Sequence, residues 1–160
     1  ITGRPGDPAL LAAPIVELGK LELEDGNFDK AAQLLRRAVI LEPQNDSALY
    51  NLATALRRIG RDDESAPHLA RFDEIQKSRR RLRDLLDRVE TDPTDIEAHA
   101  GAAAVCMDLG DPQQAGRHLT AVLARDPNHA AARETLQRLQ TSMPDFADTP
   151  APTTPRENKP

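Results

Sequence analysis

Tryptophan is absent from the chain, cysteine occurs once, and the phenyl and phenol rings are four: Phe28, Phe72, Phe146 and Tyr50. β-Sandwiches and barrels draw heavily on aromatic and β-branched residues, so this scarcity speaks against them. One cysteine, Cys106, allows no internal disulfide, and redox compartment is unreadable from bridges. No apolar run approaches the roughly 20 residues that a membrane-spanning helix needs. There is no excess of positive charge either. The formal net charge is −5, which speaks against a nucleic-acid module, since phosphate binding wants a basic face. The chain opens with Ile1 and shows no signal-peptide pattern, which points to a processed or excised piece of a longer protein. Its compartment, bacterial cytoplasm or periplasm, is not legible. What is abundant is Ala, Leu, Arg, Glu and Asp, and that composition predicts an all-α fold with a core of small side chains.

Punctuation by glycine and proline reveals a period. Leu18-Gly19, Gly26, Phe28, Ala31, Leu35, Ala38 and Pro43 are followed 34 residues later by Leu52-Ala53, Gly60, Asp62, Ser65, Leu69 and Phe72. A further step of 50 gives Ala102-Ala103, Gly110, Pro112, Ala115, Leu119, Val122 and Pro127, while Pro93 and Pro127 are again 34 apart. Each column has a physical reason. Small residues on a first helix let a second helix approach. Gly26, Gly60 and Gly110 fall where a left-handed residue ends a helix. Ala31, Ser65 and Ala115 mark the crossing within a pair, and Pro43 and Pro127 stop second helices. Asp111-Pro112-Gln113-Gln114 reads as an N-cap, a first-turn proline and a capping-box Gln, and Thr94-Asp95-Ile96-Glu97 as another capping box.

These columns resemble the tetratricopeptide repeat, a 34-residue helix–turn–helix with small residues at fixed points and a closing proline. The match covers roughly residues 12–76 and 94–128. The family's early bulky aromatic is Ile15, Leu49 or His99 here, Glu22 replaces an aromatic late in the first helix, and Lys77 stands where the second repeat would close on proline. The resemblance implies an all-α solenoid, a right-handed superhelix of three repeats (12–45, 46–93 with an insertion, 94–128). A lengthened helix follows repeat 2, a capping helix spans 129–141, and 12–141 forms the whole solenoid. Residues 1–11 are expected as a loose lead or the start of the first helix. Residues 142–160, rich in Pro and Thr, are expected as a disordered tail or linker.

The step of 50 inserts 16 residues within 74–93. No Gly or Pro occurs between His68 and Asp92, and apolar residues recur at Leu69, Phe72, Ile75, Leu82, Leu86 and Val89. One helix over 62–90 is the preferred reading, lengthened by about 24 Å at 1.5 Å per residue. A break near Ser78 is the alternative. The stripe at Leu82, Leu86 and Val89 then needs a cover, either the helix starting near Asp95 or another chain. After the third repeat, Asn128 is expected to cap a last helix whose outer face carries Arg133, Glu134, Gln137 and Arg138.

No phosphate loop, Gly-x-Ser-x-Gly or His-Glu-x-x-His occurs, so no catalytic residue, metal site or cofactor is assigned and the chain is expected not to be an enzyme. Cys106 reads as a small apolar filler rather than a nucleophile or ligand. The histidines lack ligand spacing, and His68 and His118 read as half-buried repeat positions. The run Lys77, Arg79, Arg80, Arg81, Arg83 suits a phosphate, an anionic lipid surface or an acidic partner. Equally it suits a solvated face paired with Asp73, Glu74, Asp84 and Asp87.

By the resemblance, first helices line a concave groove. Its inward positions are Val16, Lys20 and Leu23; Tyr50, Thr54, Arg57 and Arg58; and Ala100, Ala104, Met107 and Asp108. Lys20, Tyr50, Thr54, Arg57, Arg58, Met107 and Asp108 are the peptide-binding candidates, with a cationic middle suited to an acidic peptide. Some members clamp a C-terminal carboxylate with Lys, Asn and Arg. Asn51 fits one such place, but Val16 and Ser47 stand where lysines would be needed, so that activity is not carried over. The expected function is a protein-interaction scaffold. The rivals are a regulatory or substrate-recruiting region of a larger bacterial enzyme, and a structural unit that oligomerises through the long helix.

Overall fold

A computed structural model describes residues 8–142 and the side chains of 11–141. The Pro/Thr-rich segment beyond Ser142 and the first seven residues lie outside the described part. The described residues form seven α-helices and no strand: α1 (Pro8–Glu24), α2 (Phe28–Leu41), α3 (Asp46–Arg58), α4 (Asp62–Thr91), α5 (Ile96–Asp108), α6 (Pro112–Arg125) and α7 (Ala130–Ser142). The fold class is the all-α repeat solenoid expected from the columns. The first helix starts at Pro8 and runs through Pro14 without stopping.

Two turns, each used three times, generate the repeat. After a first helix, Gly26, Gly60 and Gly110 adopt φ of 78°, 76° and 75°, a region that costs glycine nothing. The next amide then reaches back to close the helix: Asn27 N–H to Glu22 O, Arg61 N–H to Leu56 O and Asp111 N–H to Cys106 O, at 2.8–2.9 Å. After a second helix, the amides of Asn45, Asp95 and His129 bond the carbonyls of Glu42, Asp92 and Asp126 at 3.0–3.1 Å, with Pro43, Pro93 and Pro127 in the turn. The turn at Pro93 therefore marks the end of α4 as the end of a repeat-type second helix.

The caps refine the sequence reading. Asn45 and Asp111 accept from the amides of Ala48 and Gln114 at 2.9 Å. In the third repeat the cap is Asp95, which accepts from Ala98 at 2.8 Å, rather than Thr94, whose hydroxyl bonds Asp92. For α7 the cap is His129 Nδ1, which accepts from Ala132 N–H at 3.2 Å. Asn128, the expected cap, instead donates its own amide to Asp126. Arg133, Glu134, Gln137 and Arg138 are exposed on α7 as expected.

The chain divides into two compact units, Ile1–Ser78 and Arg79–Pro160. In the first, Ala31, Leu35 and Ala38 of α2 and Ala48, Leu52, Ala55 and Leu56 of α3 are fully buried in one cluster. Burying a leucine completely contributes about 1.5–3 kcal/mol, so Leu35, Leu52 and Leu56 dominate this layer. Gly19 is what lets α1 reach it, because a Cβ there would stand 2.6 Å from Leu35 Cγ. At the next crossing buried Ser65 donates its hydroxyl to Ala53 O at 3.0 Å. In the second unit Leu85 packs with Ala98, Ala102 and Val105 of α5, and a further cluster joins Ala103, Cys106, Ala115, Leu119, Val122, Ala132 and Leu139.

α4 is unbroken from Asp62 to Thr91, so the alternative break near Ser78 does not occur. Its register differs in detail from the expected stripe. The buried apolar residues of α4 are Ile75 and Leu85, with Leu82 and Val89 beside Leu85, and Leu86 is only half-buried. Of the two covers considered for this stripe, α5 provides it.

Candidate functional site

In the first unit the helical spacing of four, three and one places Tyr50, Thr54, Arg57 and Arg58 along one side of α3. With Asp62 at the start of α4 they line a single cavity of about 370 Å³. Tyr50 is half exposed, with its ring 5.3 Å from that of Phe72. That contact sets the phenol ring against α4 while half of the residue stays exposed. Arg58 stands over the Phe28 ring at 5.9 Å, a cation–π arrangement that ties it to α2. Arg57 Nε lies 3.8 Å from Asp62 Oδ1, with both side chains well exposed, so this pair holds weakly and an incoming anion can compete for it. Thr54 Oγ1 donates to Tyr50 O at 2.9 Å, which commits its hydroxyl proton to the helix and leaves it to a ligand only as an acceptor.

The remaining candidates separate. Lys20 is not among the residues lining this cavity; its Nζ pairs with Glu17 at 2.7 Å along α1. Val16, read as groove-facing, is 3% exposed and belongs to the core, and Leu23 packs against the same cluster. Asn51 is bonded within its own helix to Ser47 O and Ser47 Oγ at 2.8 and 3.3 Å. Met107 belongs to the second unit, where with Ala100, Ala104, His129 and Thr135 it lines a mostly apolar cavity of about 160 Å³. Asp108 is not among the residues lining that cavity.

Three other groups bear on chemistry. Cys106 is buried with Sγ donating to Gln114 Oε1 at 3.3 Å, and burial, reinforced by the Asp111 charge, pushes its thiol up to about 11. Such a thiol is protonated at neutral pH and fills space. The Gln114 carbonyl accepting from it is the side chain expected to complete a capping box. His99 and His118, read separately in the sequence, meet in the interior with Nδ1 atoms 3.0 Å apart. Their columns are Leu49 with His68 and Ile15 with Leu34 in the other repeats, so the repeat register carried the signal. Glu74, expected to offset the basic run of α4, bonds Arg71 instead at 3.0 Å. Among the described residues, no group of three or more His, Cys, Asp or Glu side chains could hold a metal ion, and no helix is long and apolar enough to cross a membrane.

Comparison with known proteins follows the columns. Residues 16–79 match the tetratricopeptide repeat. Over 127 residues the chain is 31% identical to the TPR repeat-containing thioredoxin TTL4 of Arabidopsis thaliana, covering 79% of this chain and 16% of that protein. The inactive TPR repeat-containing thioredoxin TTL3 of the same plant is 30% identical over 116 residues, 72% of this chain and 14% of that one. The chain thus spans about a sixth of these relatives, and their plant origin lends no support to the bacterial source expected. Among solved structures, the first TPR of Spaghetti (RPAP3) bound to an HSP90 peptide is similar at 18% identity and a TM-score of 0.38, with 85% of this chain and 95% of that chain covered.

Proposed function

Because the chain belongs to the tetratricopeptide repeat family, we propose that it is a protein-interaction scaffold that takes a peptide or partner segment bearing an acidic group against α3. The observation that carries this reading is the cavity in which Tyr50, Thr54, Arg57 and Arg58 converge. Arg57 is exposed and held only by a long contact to Asp62, so a carboxylate can replace Asp62 as its partner. Tyr50 offers a rigid apolar face with a polar tip at little entropic cost. Thr54 adds an acceptor for a peptide N–H. Lys20, which the column reading grouped with these residues, is at most a flanking cation. Selecting acidic peptides from a displayed library against the chain, then titrating the best binder into Arg57→Ala and Tyr50→Ala, tests the assignment. Both variants should lose affinity, and Arg57→Ala should do so with its melting curve in place. Selected peptides that bind both variants unchanged would remove the site from α3.

A second reading has its own support. The relatives are thioredoxins by name and the matched stretch is 16% of TTL4. A recruiting region within a larger protein would use the same cavity to hold the partner or substrate. The described thiol here is the buried Cys106.

A further inference from the structure

The pair of Arg57 and Asp62 is not demanded by the repeat. One repeat earlier its columns hold Leu23 and Phe28, and in the third repeat Met107 and Pro112, so no other repeat carries a charge in either place. Nor is Asp62 needed to begin α4, since Asp63 and Glu64 also bring negative charge to that first turn. Its side chain is 76% exposed and that of Arg57 64%, and their contact of 3.8 Å is too long for a hydrogen bond. The charged residues around the pair are committed elsewhere. Arg61 and Arg36 both pair with Glu64, and Arg58 stands over the Phe28 ring. Asp63 is not among the residues lining the cavity. Asp62 is therefore the one carboxylate among the described residues that line it, and Arg57 is its ion-pair partner.

We infer that the cavity selects an extended segment carrying a cation beside its acidic group, with Asp62 as the residue that reads the cation; this rests on the assignment of the cavity to peptide binding made above. The reason is what a lone carboxylate leaves behind. Forked onto Arg57, it removes the partner of Asp62 and stands a few ångströms from it, so two like charges face each other. A lysine or arginine on the same side of the ligand cancels that repulsion and gives Asp62 a new partner. The spacing follows from the ligand's conformation. Thr54 offers only an acceptor. An extended segment has free amides to meet it, whereas the amides of a helix are already bonded. In an extended segment the side chains on one face are two residues apart, roughly 7 Å at their roots. Long, flexible Glu and Lys side chains close that gap to reach protein groups 3.8 Å apart. The ligand pattern is therefore an acidic residue, any residue and a basic residue, in either order, rather than acidity alone. Exposed ion pairs are weak, so the cation is expected to add about fivefold in affinity.

A displayed peptide library with one fixed glutamate and random residues on both sides of it, selected against the full chain, tests this. Lysine and arginine should be enriched two positions from the glutamate. In the best binder, changing that cation to alanine should cost about fivefold against the parent chain and nothing against Asp62→Asn. Selection against Asp62→Lys should enrich an acidic residue at the same position instead, an exchange that a merely structural Asp62 would not produce. Binders that weaken with Arg57→Ala yet show no preference for a cation would overturn this inference and leave the assignment of the cavity standing. Binders indifferent to Arg57→Ala and Asp62→Asn alike, or no binder at all, would overturn that assignment and this inference with it. Enrichment of a cation three or four positions away, the spacing of a helix face, would overturn the extended pattern.

Discussion

His99 Nδ1 lies 3.0 Å from Nδ1 of His118, and His99 Nε2 lies 3.2 Å from the carbonyl oxygen of Pro93. A carbonyl only accepts, so His99 donates from Nε2. Neutral His99 then has a bare Nδ1, which accepts from His118 Nδ1–H. Both rings are buried, at 8% and 9% exposure. Burial, helped by the neighbouring His99, holds the His118 pKa below the usual histidine range.

The consequence is a defined pH response. A depressed histidine pKa in the folded state means that the unfolded chain binds the proton first. The stability tied to His118 is present above the unfolded pKa of about 6.5 and falls as pH drops through and below it. Urea melts between pH 8 and pH 5 should show a falling midpoint, and His118→Gln should flatten that fall. His68, also lowered by burial, acts in the same direction, so the variant leaves a smaller residual slope.

Gly19 gives a prediction of sign. In an exposed helix Gly→Ala stabilises by roughly 0.5–1 kcal/mol. Here the new methyl would meet Leu35 Cγ and Cδ2 at 2.6 and 2.8 Å. Overpacking should win, with Gly19→Ala destabilising by about 1–3 kcal/mol in chemical denaturation. In a Leu35→Val background the same substitution should cost less.

Lys77 occupies the column that holds Pro43 and Pro127, yet it lies within unbroken α4. Restoring the repeat's own residue should therefore harm the fold. Lys77→Pro removes a helical hydrogen bond and clashes with the preceding turn, at a cost of about 3 kcal/mol. A melting temperature equal to that of the parent would show that the helix is already broken there.

Much of this was legible in the sequence because glycine and proline force their turns. The φ values of Gly26, Gly60 and Gly110 and the stops at Pro43, Pro93 and Pro127 follow from single residues, and the absence of both types from 68–92 made α4 continuous. Leu85 was missed although Pro93 pointed to it. The helical spacing around Leu82 and Leu86 was read locally, whereas its burial is set by the small column of Ala98, Gly101 and Ala102 facing it. The caps slipped by one residue where two capping side chains adjoin, Thr94 with Asp95 and Asn128 with His129. Of the site, the cluster on α3 was legible because one helix carries it. The place of Lys20 was not, since side-chain reach and its bond to Glu17 lie beyond column counting.

The most direct measurement of the central claim is a nuclear magnetic resonance titration of the labelled chain with an acidic peptide selected against it. Shifts should concentrate at Tyr50, Thr54, Arg57 and Arg58, and affinity should fall with salt, because exposed charges are screened over about 8–10 Å. Arg57→Ala should weaken binding by about tenfold or more without lowering the melting temperature. Shifts confined to 79–83 of α4, with Tyr50 and Arg57 unmoved, would contradict the account and give the acidic partner to the basic run instead.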